Sequence, residues 1–208
     1  MKIKVCGITR KEDFVALDKL RVDFVGFIFY EKSKRFVGNH AEAFFEKLSS
    51  KHVKKTGVFV NEAFEKILTK AEQFHLDFIQ LHGNESPEFC EEIRKDYPVI
   101  KVFSIDEQFD FSSLEQYRDA CDYFLFDAKG KLPGGNSISF DWNLLKNYKL
   151  DIPFFLSGGI SPQQVAQILS FRHPAFYGID VNSGFEISPG IKNIPMLETF
   201  IHQIRKAA

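Results

Sequence analysis

Two residues in this chain place an acid-base group where its surroundings can tune it. Cys6 closes the run Ile3-Lys4-Val5 ahead of Gly7, and Asp127 closes the apolar run Tyr123-Phe124-Leu125-Phe126. A carboxyl at the mouth of a Phe-rich core loses solvation, which raises its pKa and keeps it available as a general acid. Phe126 is expected to help keep Asp127 protonated. A cap on the following turn is the structural alternative for Asp127. A thiol acts as a base only where cations or dipoles stabilise the thiolate; otherwise a strand cysteine is inert packing, and spacing leaves both readings of Cys6 open.

Other positions suit binding. Arg35 follows Lys32 and Lys34 and is anchored by Phe36 and Val37; its planar fork suits a carboxylate. His82 is a candidate polar contact. As a lone histidine without paired carboxylates it points to no metal. The turns Ser157-Gly158-Gly159 and Asn182-Ser183-Gly184 resemble phosphate cradles, because backbone amides reach phosphate oxygens only where side chains do not intrude. Either alone could be only a tight turn, but two such turns at adjacent strands favour phosphate.

The elements that must position these groups repeat along the chain. Eight short runs rich in Val, Ile and Phe read as strands: Ile3 to Cys6, Phe24 to Phe29, Thr56 to Val60, Phe78 to Leu81, Val99 to Phe103, Tyr123 to Phe126, Phe154 to Leu156 and Phe176 to Asp180. Between and after them, Glu12 to Leu20, Ala41 to Leu48, Glu62 to Phe74, Pro87 to Lys95, Ser112 to Arg118, Trp142 to Asn147, Pro162 to Phe171 and Ile194 to Lys206 read as helices. Ser86-Pro87 and Ser161-Pro162 are start signals, a capping hydroxyl before a first-turn proline.

Eight βα units predict an α/β chain closed as a (βα)8 TIM barrel, one compact domain over residues 1–208. A doubly wound sheet gives similar local patterns, but Cys6-Gly7-Ile8-Thr9 is no dinucleotide fingerprint and the count of eight decides. In such a barrel the chemistry sits at the C-terminal strand ends, where Cys6, Arg35, His82, Asp127 and both glycine turns fall.

Composition narrows the partners. The 208 residues carry 27 Lys plus Arg against 28 Asp plus Glu, so no global positive field draws nucleic acid or a membrane surface. The uncharged stretch Ile152 to Phe171 holds two prolines, two glycines and three glutamines and is no membrane span. With no signal-peptide pattern the chain reads as cytoplasmic. Cys6, Cys90 and Cys121 are an odd set without C-x-x-C spacing, expected as free thiols. Phe dominates the aromatics, 24 against six Tyr and one Trp, which favours a dry, crowded interior.

Taken in order, Lys4-Val5-Cys6-Gly7-Ile8-Thr9, Ser33-Lys34-Arg35-Phe36-Val37, Gln80-Leu81-His82-Gly83, Phe126-Asp127, Gly134-Gly135 through Phe140-Asp141-Trp142, Leu156-Ser157-Gly158-Gly159-Ile160 and Asp180-Val181-Asn182-Ser183-Gly184-Phe185-Glu186 resemble the phosphoribosylanthranilate isomerase family of tryptophan biosynthesis. The segment Ser188-Pro189-Gly190-Ile191-Lys192 extends the likeness. The resemblance implies an Amadori rearrangement of N-(5-phosphoribosyl)anthranilate to 1-(2-carboxyphenylamino)-1-deoxyribulose 5-phosphate, with Asp127 as general acid and Cys6 as general base. It implies a phosphosugar substrate, Arg35 on the anthranilate carboxylate, His82 and Asp180 on the sugar or orienting the pocket, and Gly158, Gly159, Asn182, Ser183 and Gly184 on the phosphate. The substrate's own iminium nitrogen is the electron sink, so no cofactor is expected. Lys34, Ser137, Asn182 and Asn193 depart from the family pattern, in ways that bear on affinity more than on chemistry.

Two other functions compete. Another phosphosugar barrel, such as an indole-glycerol-phosphate synthase or a ribulose-phosphate epimerase, would show catalytic lysine and glutamate or a metal-binding set at strand ends, and neither is evident. A catalytically silent barrel would bind a phosphorylated ligand without turnover. Activity on the related aminoaldose of histidine biosynthesis would need a second phosphate corner, and an acidic base is expected where Cys6 stands. Monomer and homodimer are equally compatible with the sequence.

Overall fold

Each of eight strands pairs in parallel with the next, and the last returns to the first. They are β1 (Lys2–Cys6), β2 (Phe24–Ile28), β3 (Lys54–Phe59), β4 (Phe78–Leu81), β5 (Val99–Ile105), β6 (Tyr123–Ala128), β7 (Phe154–Leu156) and β8 (Phe176–Val181), and the pairing of β8 with β1 closes the barrel. The structure, a computed structural model, describes residues 1–38, 48–128 and 140–206. All but Leu48 of the helix expected over Ala41 to Leu48, and the positions Gly134, Gly135 and Ser137, lie outside the described residues.

The α-helices are α1 (Lys11–Lys19), α2 (Phe64–Phe74), α3 (Pro87–Arg94), α4 (Val165–Ser170) and α5 (Ile194–Lys206). On α2, Ile67, Ala71 and Phe74 are buried, the spacing of one helical face turned to the sheet. Ser86 caps α3 by accepting the Phe89 N–H at 3.3 Å, with Pro87 in the first turn, as its start signal predicts. After Ser161 the Gln164 side chain reaches back to the Ser161 N–H at 2.9 Å.

Two expected helices are tighter than α and a third begins so. Phe111–Tyr117 and Trp142–Asn147 are 3-10 segments, and the stretch from Pro162 divides into a 3-10 turn (Pro162–Gln164) and the short α4. In the first two, an aspartate side chain at the start, Asp110 or Asp141, accepts the N–H two residues on at 2.9 Å. That local turn competes with α-helical bonding in a segment of one or two turns.

Two strands run further than their apolar runs. The ladder between β5 and β6 continues through Ser104 with Asp127 and Ile105 with Ala128. Asp127 therefore sits inside β6, where alternation turns it into the lumen with Leu125 and turns Phe126 outward. Phe126 packs on Tyr148 and Phe154, at ring separations of 5.1 and 5.0 Å. The expected help of Phe126 in keeping Asp127 protonated is thus corrected, since it faces away. A hairpin that the sequence did not announce, β9 (Glu186–Ser188) with β10 (Ile191–Lys192), is tied to the first loop by Thr9 Oγ1 donating to the Gly190 carbonyl at 2.6 Å.

Within the barrel, the N-terminal half of the lumen is filled by Phe24, Ile100, Val102, Leu125 and Phe155, flanked by Phe78, Tyr123 and Tyr177. Phe24 meets the edges of Phe78 and Phe155 at 5.3 Å. Above this aromatic floor the lumen changes character: Lys4, Thr56, Gln80, Asp127 and Asp180 are all buried there. All three cysteines are free and buried. Among the described residues, no helix is long and apolar enough to cross a membrane.

Candidate active site

A cavity opens at the C-terminal ends of the strands, and its wall brings together every residue expected there: Cys6, Arg35, His82, Asp127, Gly158, Gly159, Asp180, Asn182, Ser183 and Gly184. Cys6 is the last residue of β1 and Asp180 the fifth of β8; both project inward because their strands alternate. His82 follows β4 directly, its N–H held by the Phe59 carbonyl at 2.8 Å.

Burial dominates the electrostatics. Asp127 is 8 % exposed, and its pKa is pushed up to about 6, first by burial and then by the Asp180 charge. The Ala128 N–H, donating to Asp127 Oδ1 at 2.9 Å, opposes that rise with Lys4 and Ser157. His82 Nε2 lies 3.6 Å from Asp127 Oδ2. Burial, Lys101 and Lys4 hold the imidazole down at about 3, so it is neutral at neutral pH. Its Nε2 and Gln80 Oε1 are buried without a hydrogen-bond partner among the described residues, a pair of polar atoms at a wall where a ligand could satisfy them.

Burial also pushes the Cys6 thiol above its ordinary pKa, against the Lys4 cation that would lower it. Lys4 was not singled out by the sequence reading. Its side chain has no exposure and its Nζ lies 2.9 Å from Asp180 Oδ1. Burial works against the Lys4 ammonium, but Asp180 and Cys6 outweigh it and hold its pKa up. Burial raises Asp180 in turn, offset in part by Lys4 and Lys192. The available signal for Lys4 was its spacing: two residues before Cys6 on one strand means the same face.

Arg35 reaches the cavity wall with one edge already engaged. Its Nε donates to Glu186 Oε1 and Oε2 at 3.0 Å and its Nη2 to Oε2 at 2.7 Å. Nη1 carries no hydrogen bond among the described residues. Glu186 also accepts from Lys192 Nζ at 2.8 Å and the Gly190 N–H at 3.1 Å. These partners were missed for a plain reason: Arg35 and Glu186 are 151 residues apart, and no local pattern links them.

The two glycine turns face each other across one corner. Gly158 and Gly159 have φ of +87° and +63°, and a Cβ on Gly158 would come within 2.6 Å of the Ala128 nitrogen. Gly184 passes so close to the Ile160 carbonyl that a Cβ there would collide with it. Asn182 Oδ1 accepts from the buried Lys192 Nζ at 2.8 Å, which brings a cation beside the corner. This arrangement of open backbone and local positive charge suits a phosphate.

The chain is similar to known proteins over nearly its whole length. A family profile described as N-(5'phosphoribosyl)anthranilate (PRA) isomerase matches residues 3–203. An N-(5'-phosphoribosyl)anthranilate isomerase from Parabacteroides distasonis is 47% identical, the alignment covering 98% of this chain and 93% of that protein. The phosphoribosyl anthranilate isomerase of Thermus thermophilus superposes with a TM-score of 0.88 at 29% identity over 100% of both chains. A further phosphoribosyl anthranilate isomerase structure, in complex with reduced 1-(o-carboxyphenylamino)-1-deoxyribulose 5-phosphate, has a TM-score of 0.83 and 32% identity over 99% of each chain. With the match spanning nearly the whole barrel, the chain belongs to the N-(5'-phosphoribosyl)anthranilate isomerase family.

Proposed function

We propose that Asp127 and Cys6 are the acid and base with which this chain converts N-(5'-phosphoribosyl)anthranilate into 1-(2-carboxyphenylamino)-1-deoxyribulose 5-phosphate, the isomerisation of its family in tryptophan biosynthesis. The observation that carries the assignment is the Asp127 carboxyl, raised to about 6 in the wall that also holds Cys6. Protonated Asp127 gives its proton to the furanose ring oxygen as the C1′–O bond breaks. The anthranilate nitrogen lone pair then forms the C1′=N iminium. Cys6, as thiolate, removes the C2′ proton, and the C–H electrons form C1′=C2′ while the iminium electrons return to nitrogen. The resulting enolamine tautomerises to the ketone, a proton moving from the C2′ hydroxyl to C1′, so the product is an isomer of the substrate. The proton Cys6 took replaces the one Asp127 gave, by exchange through solvent, which restores acid and base.

The remaining wall supplies binding. The turns at Gly158, Gly159, Asn182, Ser183 and Gly184 hold the phosphate by backbone amides. Arg35, with Nη1 outside the Glu186 clamp, meets the anthranilate carboxylate. His82, as a neutral imidazole, and Asp180 flank the sugar. The related complex with the reduced product supports a phosphosugar carrying a carboxyphenyl group as the ligand class. One barrel supplies the acid, the base and the phosphate corner, so the site as described needs no second copy.

The test is consumption of phosphoribosylanthranilate by purified protein, followed by fluorescence, for wild type, Cys6→Ala and Asp127→Asn. Both variants are expected to lose turnover while circular dichroism stays unchanged. Near-wild-type turnover in either one removes that residue from its role.

A further inference from the structure

Lys4 takes no step in the isomerisation, yet it occupies the most expensive position a lysine can have. Its ammonium is wholly buried in the lumen, 2.9 Å from Asp180 Oδ1. A buried ion pair is seldom more stabilising than an apolar pair of similar volume, so packing alone gives no reason for it here. Its placement does. Lys4 is two residues before Cys6 on β1, and Asp180 stands directly across from Lys4 in the β1–β8 register. Cys6, Asp127 and Asp180 share one cavity wall.

We propose that Lys4 and Asp180 are a positioning pair that divides proton affinity between the two reacting groups, the Lys4 ammonium stabilising the Cys6 thiolate and the Asp180 carboxylate keeping Asp127 protonated. The inference rests on the reading of Cys6 and Asp127 as base and acid. Neither member of the pair needs to exchange a proton with substrate; each acts through its neighbour.

The charges around Cys6 come from several elements. Lys4 on β1 and Lys192 on β10 favour the thiolate, and Asp180 on β8 opposes it. Across the cavity stand Asp127 on β6 and His82 after β4. His82 is neutral at neutral pH and adds no charge. Burial is the largest influence on the thiol, and Lys4 is the largest that opposes it. At Asp127 each charge keeps its sign but the order reverses: Asp180, which raises the pKa, is the largest influence after burial, and Lys4, which lowers it, is smaller. The pair therefore has a net effect of opposite sign at the two sites, because Lys4 on β1 outweighs Asp180 at Cys6 and Asp180 outweighs Lys4 at Asp127.

That opposition is the test. The rate of Cys6 alkylation by iodoacetamide is followed against pH by peptide mass spectrometry, beside steady-state kinetics. In Lys4→Met the alkylation rate at a fixed pH below the thiol titration is expected to fall about tenfold, with kcat falling in parallel and KM little changed. In Asp180→Asn the alkylation rate is expected to rise, while the acidic limb of kcat/KM moves to lower pH. If Lys4→Met does not fold, the Lys4→Met, Asp180→Asn double variant leaves no unpaired charge; it is expected to alkylate more slowly than Asp180→Asn alone. Unchanged alkylation profiles, shifts of the same sign in both single variants, or equal rates in the double variant and Asp180→Asn would overturn the proposal. Failure of the underlying reading is separate: it appears as undiminished turnover in Cys6→Ala, whatever the alkylation rates show.

Discussion

The two halves of the barrel lumen are built from opposite chemistry on the same strands. The N-terminal half is Phe24, Phe78, Ile100, Leu125 and Phe155 in mutual contact; the C-terminal half is Lys4, Gln80, Asp127 and Asp180, equally buried. On β6 the change takes one step of the alternation, from Leu125 to Asp127. The floor contributes stability, of the order of 1.5–3 kcal/mol per fully buried large side chain. It also leaves the polar layer without bulk water beneath it, and burial is the leading cause of the shifts at Asp127, His82 and Cys6. Reactivity above is a consequence of dryness below.

The sharpest way to break this division is Asp127→Asn. Turnover is expected to fall about 10²–10⁴-fold, the usual worth of a general acid, while stability at neutral pH rises. A carboxyl whose folded pKa lies above its unfolded one binds the proton more tightly when folded. Stability is then lost as pH rises from the ordinary value of 3.8 through about 6. Asparagine removes that loss, up to about 3 kcal/mol at neutral pH, read by urea unfolding at pH 7 against pH 4. A variant both inactive and destabilised at pH 7 would show that Asp127 is part of the structural frame.

Phe155→Ala probes the floor. It is expected to cost about 3–5 kcal/mol of stability and to change kcat less than tenfold at a temperature where the variant is folded. A loss of turnover comparable to Asp127→Asn, without loss of stability, would erase the distinction between the halves.

Strand residues show why the floor was legible and part of the mouth was not. The apolar runs marked all eight strands, because a sheet buried on both faces needs Val, Ile and Phe continuously. The ends of β5 and β6 were lost because Ser104 and Asp127, which pair in the ladder, interrupt the apolar runs ahead of Ile105 and Ala128. Cys6, His82 and Asp127 were found as strand-end groups. Lys4 was not, because a lysine inside a strand reads as a solvent-facing position until its buried partner on β8 is known. Glu186 and Lys192 were hidden in the same way: they reach Arg35 and Asn182 from a two-stranded hairpin, β9 and β10, whose short runs carry no strand signal.

The pH dependence of activity sharpens the comparison further. Asp127 titrates at about 6, below the buried Cys6 thiol, which burial raises above its ordinary value. The competent form, protonated acid with thiolate base, is therefore the minority form in the free protein. Its fraction grows with pH up to about 6, stays level, and declines only once the thiol has titrated. A kcat/KM profile that rises and levels off at about 6 is expected, and in the residual activity of Asp127→Asn that break should vanish, the rise continuing to the thiol titration. A break that persists at the same pH would belong to another group.

The smallest effect is expected at the rim, in Glu186→Gln. Glu186 engages Nε and Nη2 of Arg35 and also Lys192 Nζ, so it fixes the direction of Nη1 and balances two cations. Glutamine keeps the shape but drops the charge, and a side-chain amide holds a guanidinium less firmly than a carboxylate does. KM is expected to rise about threefold to tenfold with kcat nearly unchanged, because the loss falls on orientation of the carboxylate-binding arm and not on proton transfer. The opposite outcome is equally readable. A fall in KM would mean that Glu186 competes with the substrate carboxylate for Arg35, and that the clamp seen here is a resting contact which substrate displaces.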